Sequence, residues 1–541
     1  MKKIFNTVNK SVMALLMVFL SATSCSDFLD INTDPNNPLD SRLDQILPTA
    51  QTVIFEGFGN GAGGMSDLVS QYIHHTVQRN NSNFYFCAGN EFFISSAWPN
   101  LYAGALMDLN VIISKATDRE SWHYLGIAQI LKAYTYSEMV DMWGMAAFFD
   151  FGQGTENPFP AYDDGAAIYP ELFNMLKEAV VNLEKEAGES PAGDDLIYGG
   201  DTDKWIKFAN SLRLKLYNNV RLTSMYDDAA VADIINNQDV FTGVGDGFRL
   251  LYGESNNPDN RHPLFKQDYV DLNPNYIDPY FYLVMKGDPD LPVLNPLLVG
   301  IEDPRIPYYF YNQLTAGENP QNATTSAYWD NFLSIWFASL NIDPNEGFDQ
   351  GQSQTVVGLY PAGGAFDDGS GTTAGVGAGQ NPGLGGASYT RLYPYLAQLY
   401  VRAELSLTKG APGDPRALFE QAMRASFAEV NELADVPVPG EDAYITAILA
   451  LYDAGSPAKK LELILTEKWI ASFGFSLDIY SDYRRTGYPI MFDPNTDGNP
   501  FTILQRSYPL SIPYFVDDLQ INPNAAPQRN PGTDKVFWDV D

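Results

Sequence analysis

Apolar residues recur at three- and four-residue steps through most of the first 220 positions, the spacing that gathers them on one face of an α-helix. It predicts helices over 41–56, 65–78 and 91–116. A fourth is predicted from Glu120 to Trp143, with Tyr124, Ile127, Leu131 and Tyr134 along its apolar face. Asp163 or Asp164 is placed to cap a long helix reaching Glu186, with Ile168, Leu172, Met175, Leu176, Ala179 and Leu183 on one side. Asp201 or Thr202 opens another, Lys204 to Leu222, with Trp205, Phe208, Leu212, Leu216 and Val220 turned inward.

The pattern breaks between about 240 and 387. That stretch is rich in Pro, Gly, Asn, Tyr and Phe, with no sustained period, so loops, short helices and a few short strands are expected. Within it, Gly363 to Gly386 is a Gly-rich run that lacks both the leading strand and the Gly-Lys-Ser/Thr of a phosphate-binding loop, and it reads as surface loop. Helical spacing resumes over 389–408, 415–433, 442–453 and 457–473, and the last 50 residues return to Pro- and Asn-rich loop. Helix pairs joined by short turns point to a repeat scaffold. Trp122-His-Tyr-Leu125-Gly126 fits the opening of a tetratricopeptide repeat, although Gln129 replaces its Tyr, and 389–433 has the length of another unit.

The N-terminus changes the picture of where this scaffold resides. Lys2, Lys3 and Lys10 precede the apolar run Val12 to Leu20, which is too short to span a bilayer, and small residues then lead to Cys25. Residues 1–24 read as a secretory signal. An ordinary cleaved signal is one reading; a lipoprotein signal is the better one, because a Cys left at the new N-terminus offers a thiol and an amine for acyl chains. Ala22 stands where such signals usually carry Leu. Residues 25–40 then form an Asn- and Pro-rich tether, and 41–541 a single helical domain interrupted by the irregular stretch. With Cys25 lipidated, Cys87 has no disulfide partner.

Charge excludes one class of partner. The 67 acids against 33 bases give a net charge of −34, which repels nucleic acid. No catalytic motif is present either: the four His (His74, His75, His123, His262) fit no metal spacing, and no Gly-x-Ser-x-Gly elbow occurs. A binding protein rather than an enzyme is expected. Aromatics make up 13% of the chain, more than a core alone calls for, and their apolar faces suit the C–H faces of sugar rings. Those in the irregular stretch are the candidate ligand platform: Tyr280, Tyr309, Tyr328, Trp329 and Trp336. No cofactor is expected beyond a structural calcium at Asp493, Asn495, Asp497 and Asn499, which copies the first half of a calcium loop. The twelfth position is Leu504 instead of Glu, so a plain Asx turn competes with that reading.

Several blocks together resemble the SusD/RagB proteins, in particular their SusD-like branch. They are Cys25 followed by DFLDINTDPNNP, the run Trp98-Pro-Asn-Leu-Tyr102 to Asn110, AYTYSEMVDMWGMAAFFDF with NPFPAYDDGAAIYPELFNML, YGGDTDKWIKFANSLRLKL, and LILTEKWIASFGFSLDIYSDYRRTGYP. The resemblance implies a mainly α fold, with tetratricopeptide-like helix pairs on one side, an irregular loop-rich ligand-facing region on the other, and a few short strands. It also implies an outer-membrane lipoprotein exposed at the cell surface, binding oligosaccharide or polysaccharide beside a SusC-like TonB-dependent transporter. The family's Trp at the start of the third helix contributes to the sugar platform, a place that Trp98 matches, with Asn100 nearby. A peptide or other nutrient receptor, or a lid without a ligand of its own, are the alternative roles on the same scaffold.

Overall fold

Side-chain caps set where several of the helices begin. In the computed structural model, Asp164 accepts the Ala166 N–H at 2.8 Å and Asp201 that of Lys204 at 3.2 Å, each at a helix start. Asp163 instead receives the N–H groups of Phe148 and Phe149. Asp414 and Ser456 cap helices whose first residues are Pro415 and Pro457, where a missing N–H costs nothing. The structure describes residues 41–541 apart from 62, 80–84, 86, 289–295, 315–325, 330–331, 339–352, 367–382, 494, 498–506 and 541.

The longer helices in chain order are α1 (Leu43–Phe58), α2 (Met65–Tyr72), α3 (Phe92–Asn100), α4 (Met107–Asp118), α5 (Trp122–Trp143), α6 (Gly165–Leu183), α7 (Thr202–Asn219) and α8 (Asp228–Asn237). After α9 (Pro279–Lys286) come α10 (Tyr395–Lys409), α11 (Pro415–Ala434), α12 (Glu441–Ala454), α13 (Pro457–Ala471), α14 (Leu477–Thr486) and the short α15 (Val516–Ile521). The π-helical turn Leu101–Leu106 joins α3 to α4, so the predicted helix over 91–116 is one winding with a wide turn. Sequence neighbours pack on one another, α4 on α5, α5 on α6, α6 on α7, and later α10 on α11, α11 on α12 and α12 on α13. The fold is mainly helical with repeat-like pairs, as expected. Gly126 of the Trp-x₂-Leu-Gly signature lies where α5 meets α6: a Cβ there would stand 2.7 Å from Leu183 and 2.9 Å from the Ala179 carbonyl.

Two predicted helices are corrected. Residues Tyr389–Tyr393 form a strand, antiparallel to Phe248–Leu251, and α10 starts only after Pro394, since the residue before a proline disfavours helix. The helix predicted over 65–78 ends at Tyr72: His74 takes a left-handed φ of 57°, and Thr76–Val77 pairs with Tyr276–Ile277. The middle stretch otherwise has its expected character. Short strands, among them the hairpin Ser326–Trp329 with Phe332–Ile335, alternate with brief helical turns. Buried side chains from Leu43 to Trp538 nevertheless join in one continuous core.

Inside that core lies a charged cluster. Helix α14 contributes Asp478, Asp482, Arg484 and Arg485, all buried. Arg485 reaches Glu404 of α10 at 2.6 and 3.0 Å and Asp482 at 2.7 Å; Asp482 also pairs with Lys468 of α13 at 2.6 Å. Lys215 of α7 pairs with Asp478 at 2.6 Å and with Glu138 of α5. Arg221 meets Glu404 at 2.7 Å. Arg484 donates to the Asp141 carbonyl at 2.7 Å, and the Asp141 carboxylate takes Trp538 and Asn219. Five acids thus face five cations, so the cluster carries no net charge into the low-dielectric interior.

Glu404 holds two arginines and the Asn218 amide, and its removal takes that carboxylate from Arg221 and leaves Arg485 with Asp482 alone in the core. Glu404→Ala is expected to lower unfolding free energy by about 3–5 kcal/mol in chemical denaturation. Asp453→Ala, which breaks an exposed pair with Arg416, is the control and should leave the midpoint in place.

Candidate functional site

Polar side chains outside the core converge on one cleft. Its first wall is the C-terminal end of α1 (Val53, Glu56, Gly57) and the turn that follows it; its second is α3, through Ser96 and Asn100; its third is the segment from Pro263 to Asn275. The space is about 340 Å³ and continues past Gln267 and Asn273 into a further 200 Å³ bounded by Asp67, Gln78, Arg79, Phe92, Phe93 and Asn275. The turn after α1 can pass this close only as glycine. Gly61 and Gly63 have φ of 115° and 96°, and a Cβ on either would meet Pro263 at 2.5 Å or the Ser96 hydroxyl at 2.9 Å.

The lining is unusually rich in carboxamides: Asn60, Asn100, Gln267, Asn273, Asn275 and Gln78. Each carries both donors and an acceptor. Phe92, 61% exposed, offers an aromatic face at the rim. Arg79 fastens the third wall, donating to the Leu272 carbonyl at 2.6 Å and the Asn273 side chain at 3.2 Å. Asn275 in turn donates to the Asp67 carboxyl at 3.0 Å. Burial pushes Asp67 up to about 7, with that hydrogen bond working in the opposite direction.

A second hollow, of about 320 Å³, opens on the other side of α3 and is mostly apolar. Trp98 and Tyr102 floor it, Phe151, Phe159 and Tyr162 form one side, and Phe515 and Asp518 the other. The Tyr162 hydroxyl donates to Asp518, and Asn522 donates to the Pro160 carbonyl at 2.8 Å, which joins α15 to the loop before α6.

Comparison with known proteins decides what this scaffold is. A family profile described as "starch-binding associating with outer membrane", of the SusD-like group, matches residues 35–333, and one described as "Susd and RagB outer membrane lipoprotein" matches residues 434–528. The chain belongs to the SusD/RagB family. Solved structures agree on the fold of this SusD/RagB protein. A chitin-binding SusD homologue from Flavobacterium johnsoniae is 19% identical over 93% of this chain and 99% of that one, with a TM-score of 0.67. A SusD homologue from Bacteroides uniformis is 17% identical over 93% and 100%, with a TM-score of 0.66. A third, from Bacteroides fragilis, is 15% identical over 92% and 99%, with a TM-score of 0.65. No curated protein sequence matches.

Three of the five aromatics predicted for the platform are buried in the SusD/RagB scaffold. Tyr280 is fully buried on α9, its ring against Trp469 and its hydroxyl on the Ile490 carbonyl. Tyr309 is equally buried, stacked between Tyr360 and Phe473 at 4.8 and 5.4 Å. Trp336 is buried near Phe492. These three belong to the core because the irregular stretch packs its aromatics inward, Tyr280 against Trp469 of α13 and Tyr309 against Phe473 just beyond it. Tyr328 and Trp329 are described only as backbone of the hairpin. Trp98 and Asn100 do lie together on α3 but serve different spaces: Asn100 lines the amide cleft, while Trp98, buried among Tyr102, Trp143, Tyr162 and Tyr514, floors the apolar hollow.

The Asp493 loop closes on itself as an Asx turn. Asp497 accepts the Asp493 N–H at 2.7 Å, and Asp493 accepts both the backbone and side-chain N–H of Asn495 at 2.8 Å. Those oxygens face N–H donors of the loop itself, and Asn499, the fourth residue of the calcium reading, lies outside the described residues. Among the described residues no three His, Cys, Asp or Glu side chains gather as a metal site, and no helix is long and apolar enough to cross a membrane. Cys25 also lies outside them.

Asp67 gives the cleft a titration signature. Its folded carboxyl ionises near 7, against 3.8 ordinarily, so its contribution to stability is full below about pH 4 and is lost as pH rises through 7. Asp67→Asn keeps an acceptor for Asn275 and removes the ionisation. Urea unfolding should show the variant gaining on the parent by up to about 4 kcal/mol between pH 4 and pH 8; parallel curves would mean that Asp67 ionises normally in the fold.

Proposed function

We propose that this SusD/RagB protein captures oligosaccharide or polysaccharide in the amide-lined cleft and delivers it to a SusC-like TonB-dependent transporter. In this reading acyl chains on Cys25 hold it at the surface of the outer membrane. The observation that carries the ligand assignment is the lining itself. Sugar hydroxyls donate and accept at once, and six carboxamides in one cleft match that dual demand without imposing a charge. The exposed Phe92 ring supplies the apolar face that a pyranose C–H surface packs against. Supporting it from outside are the starch-binding description of the family and the chitin binding of a structural neighbour. In this reading the role is capture and not cleavage.

Affinity gels and calorimetry with the full-length protein in detergent test it against polysaccharides and peptide digests. Glycan binding is expected, and Asn100→Ala and Phe92→Ala should each weaken it about tenfold with unchanged melting temperature, since both side chains are exposed. Retention of full affinity in both variants would move the site out of the cleft, and capture of peptides alone would replace the glycan reading.

A further inference from the structure

The charges of the amide cleft bear on which glycans it takes. Glu56, Asp67 and Asp271 line it against Lys266 and Arg79. Arg79 is already turned to the third wall, where it holds the Leu272 carbonyl and the Asn273 side chain. The next basic side chain along that segment, Arg261, is paired with Asp259 at 2.9 Å. Burial keeps the Asp67 carboxyl partly protonated at neutral pH, so the exposed carboxylates are Glu56 and Asp271. A chain of uronates or sulfated sugars entering here would meet both with no excess of cation to offset them, on a protein whose net charge is −34. Recognition of such polymers needs guanidinium or ammonium groups aimed at each anion. What the cleft presents at its open positions is Asn100, Gln267 and Asn273, whose carboxamides pair with hydroxyl or acetamido groups.

Resting on the glycan reading above, we propose that the cleft selects uncharged glycans and that Glu56 and Asp271 are the residues that turn anionic ones away. Both are exposed at the cleft, so they act on an approaching ligand through solvent and are free to be exchanged without disturbing the core. Their effect weakens with salt, as charges in solvent are screened.

The test is calorimetry on the full-length protein in detergent at 50 and 500 mM NaCl. The probes are hexasaccharides of glucose, xylose and N-acetylglucosamine on one side, and of galacturonate, alginate and heparin on the other. At least one neutral probe should bind, with an affinity that salt changes less than twofold, and every anionic probe should bind at least tenfold more weakly. The double variant Glu56→Lys/Asp271→Lys should gain tenfold or more toward an anionic probe at low salt, and lose that gain at high salt. Tightest binding of an anionic probe by the parent overturns the selection while leaving glycan capture intact, as does a charge-reversed variant that gains nothing. Silence toward all six probes removes the glycan reading, and the selection with it.

Discussion

Helix α14 is a ten-residue segment whose charged groups lie in the centre of the protein, and the rest of the structure is arranged to satisfy them. Asp478, Asp482, Arg484 and Arg485 could not be buried singly; unpaired ions in a protein interior cost several kcal/mol each. Each meets a partner from a different element: Lys215 of α7, Lys468 of α13, the Asp141 carbonyl of α5 and Glu404 of α10. The early helix pairs and the late ones are thereby fixed to one short helix. Two similar pairs extend the arrangement into the irregular stretch. Arg305 joins Asp303 at 2.6 Å and Ser426 of α11 at 2.7 Å, and Arg391 joins Glu429 at 2.7 Å. Apolar packing would hold these elements together in many relative positions; the ionic contacts admit few.

The cleft depends on that frame at one remove. Helix α14 packs against α2, whose Asp67 forms part of the cleft, and α2 leads into the left-handed His74. His74 stands between Asp278 at 2.8 Å and the Tyr85 hydroxyl at 2.6 Å, while Trp469 of α13 donates to the Ile73 carbonyl at 2.8 Å. The strand Thr76–Val77 then pairs with Tyr276–Ile277, which brings Arg79 beside Leu272 and Asn273. A rigid core thus sets the spacing between the glycine turn, α3 and the 263–275 segment, and the ligand-facing amides stand on positions already fixed.

Helices were legible where a capping acid or proline met a regular apolar face, as at Asp164, Asp201, Pro415 and Pro457. They were misread where only spacing was available: Tyr389, Leu392 and Leu396 have helical intervals, but Pro394 and the pairing with Phe248–Leu251 decide otherwise. Helix α14 escaped because its mixture of Asp, Arg and Tyr has the look of a solvated surface, and only the partners on distant helices show it to be core. The site was harder still. Aromatics in an irregular stretch suit a ligand platform by composition, yet Tyr280 and Tyr309 lie inside, where large rings contribute most to packing. The amides of the cleft come from segments around 60, 78, 100 and 270, and an Asn in a loop is too common to mark itself. Asn100 was found through the family resemblance; Asn60, Gln267, Asn273 and Phe92 carried no signal that sequence alone could rank.

In the proposed mode of capture a polyhydroxylated ligand sits among these carboxamides, between the end of α1, α3 and the 263–275 segment. A crystal structure of the protein grown with a neutral hexasaccharide addresses it directly. Sugar density is expected in the cleft, with hydroxyls within hydrogen-bond distance of Asn100 and Gln267 and one ring against Phe92. Density confined to the apolar hollow over Trp98, with the amide cleft holding only water, would contradict it.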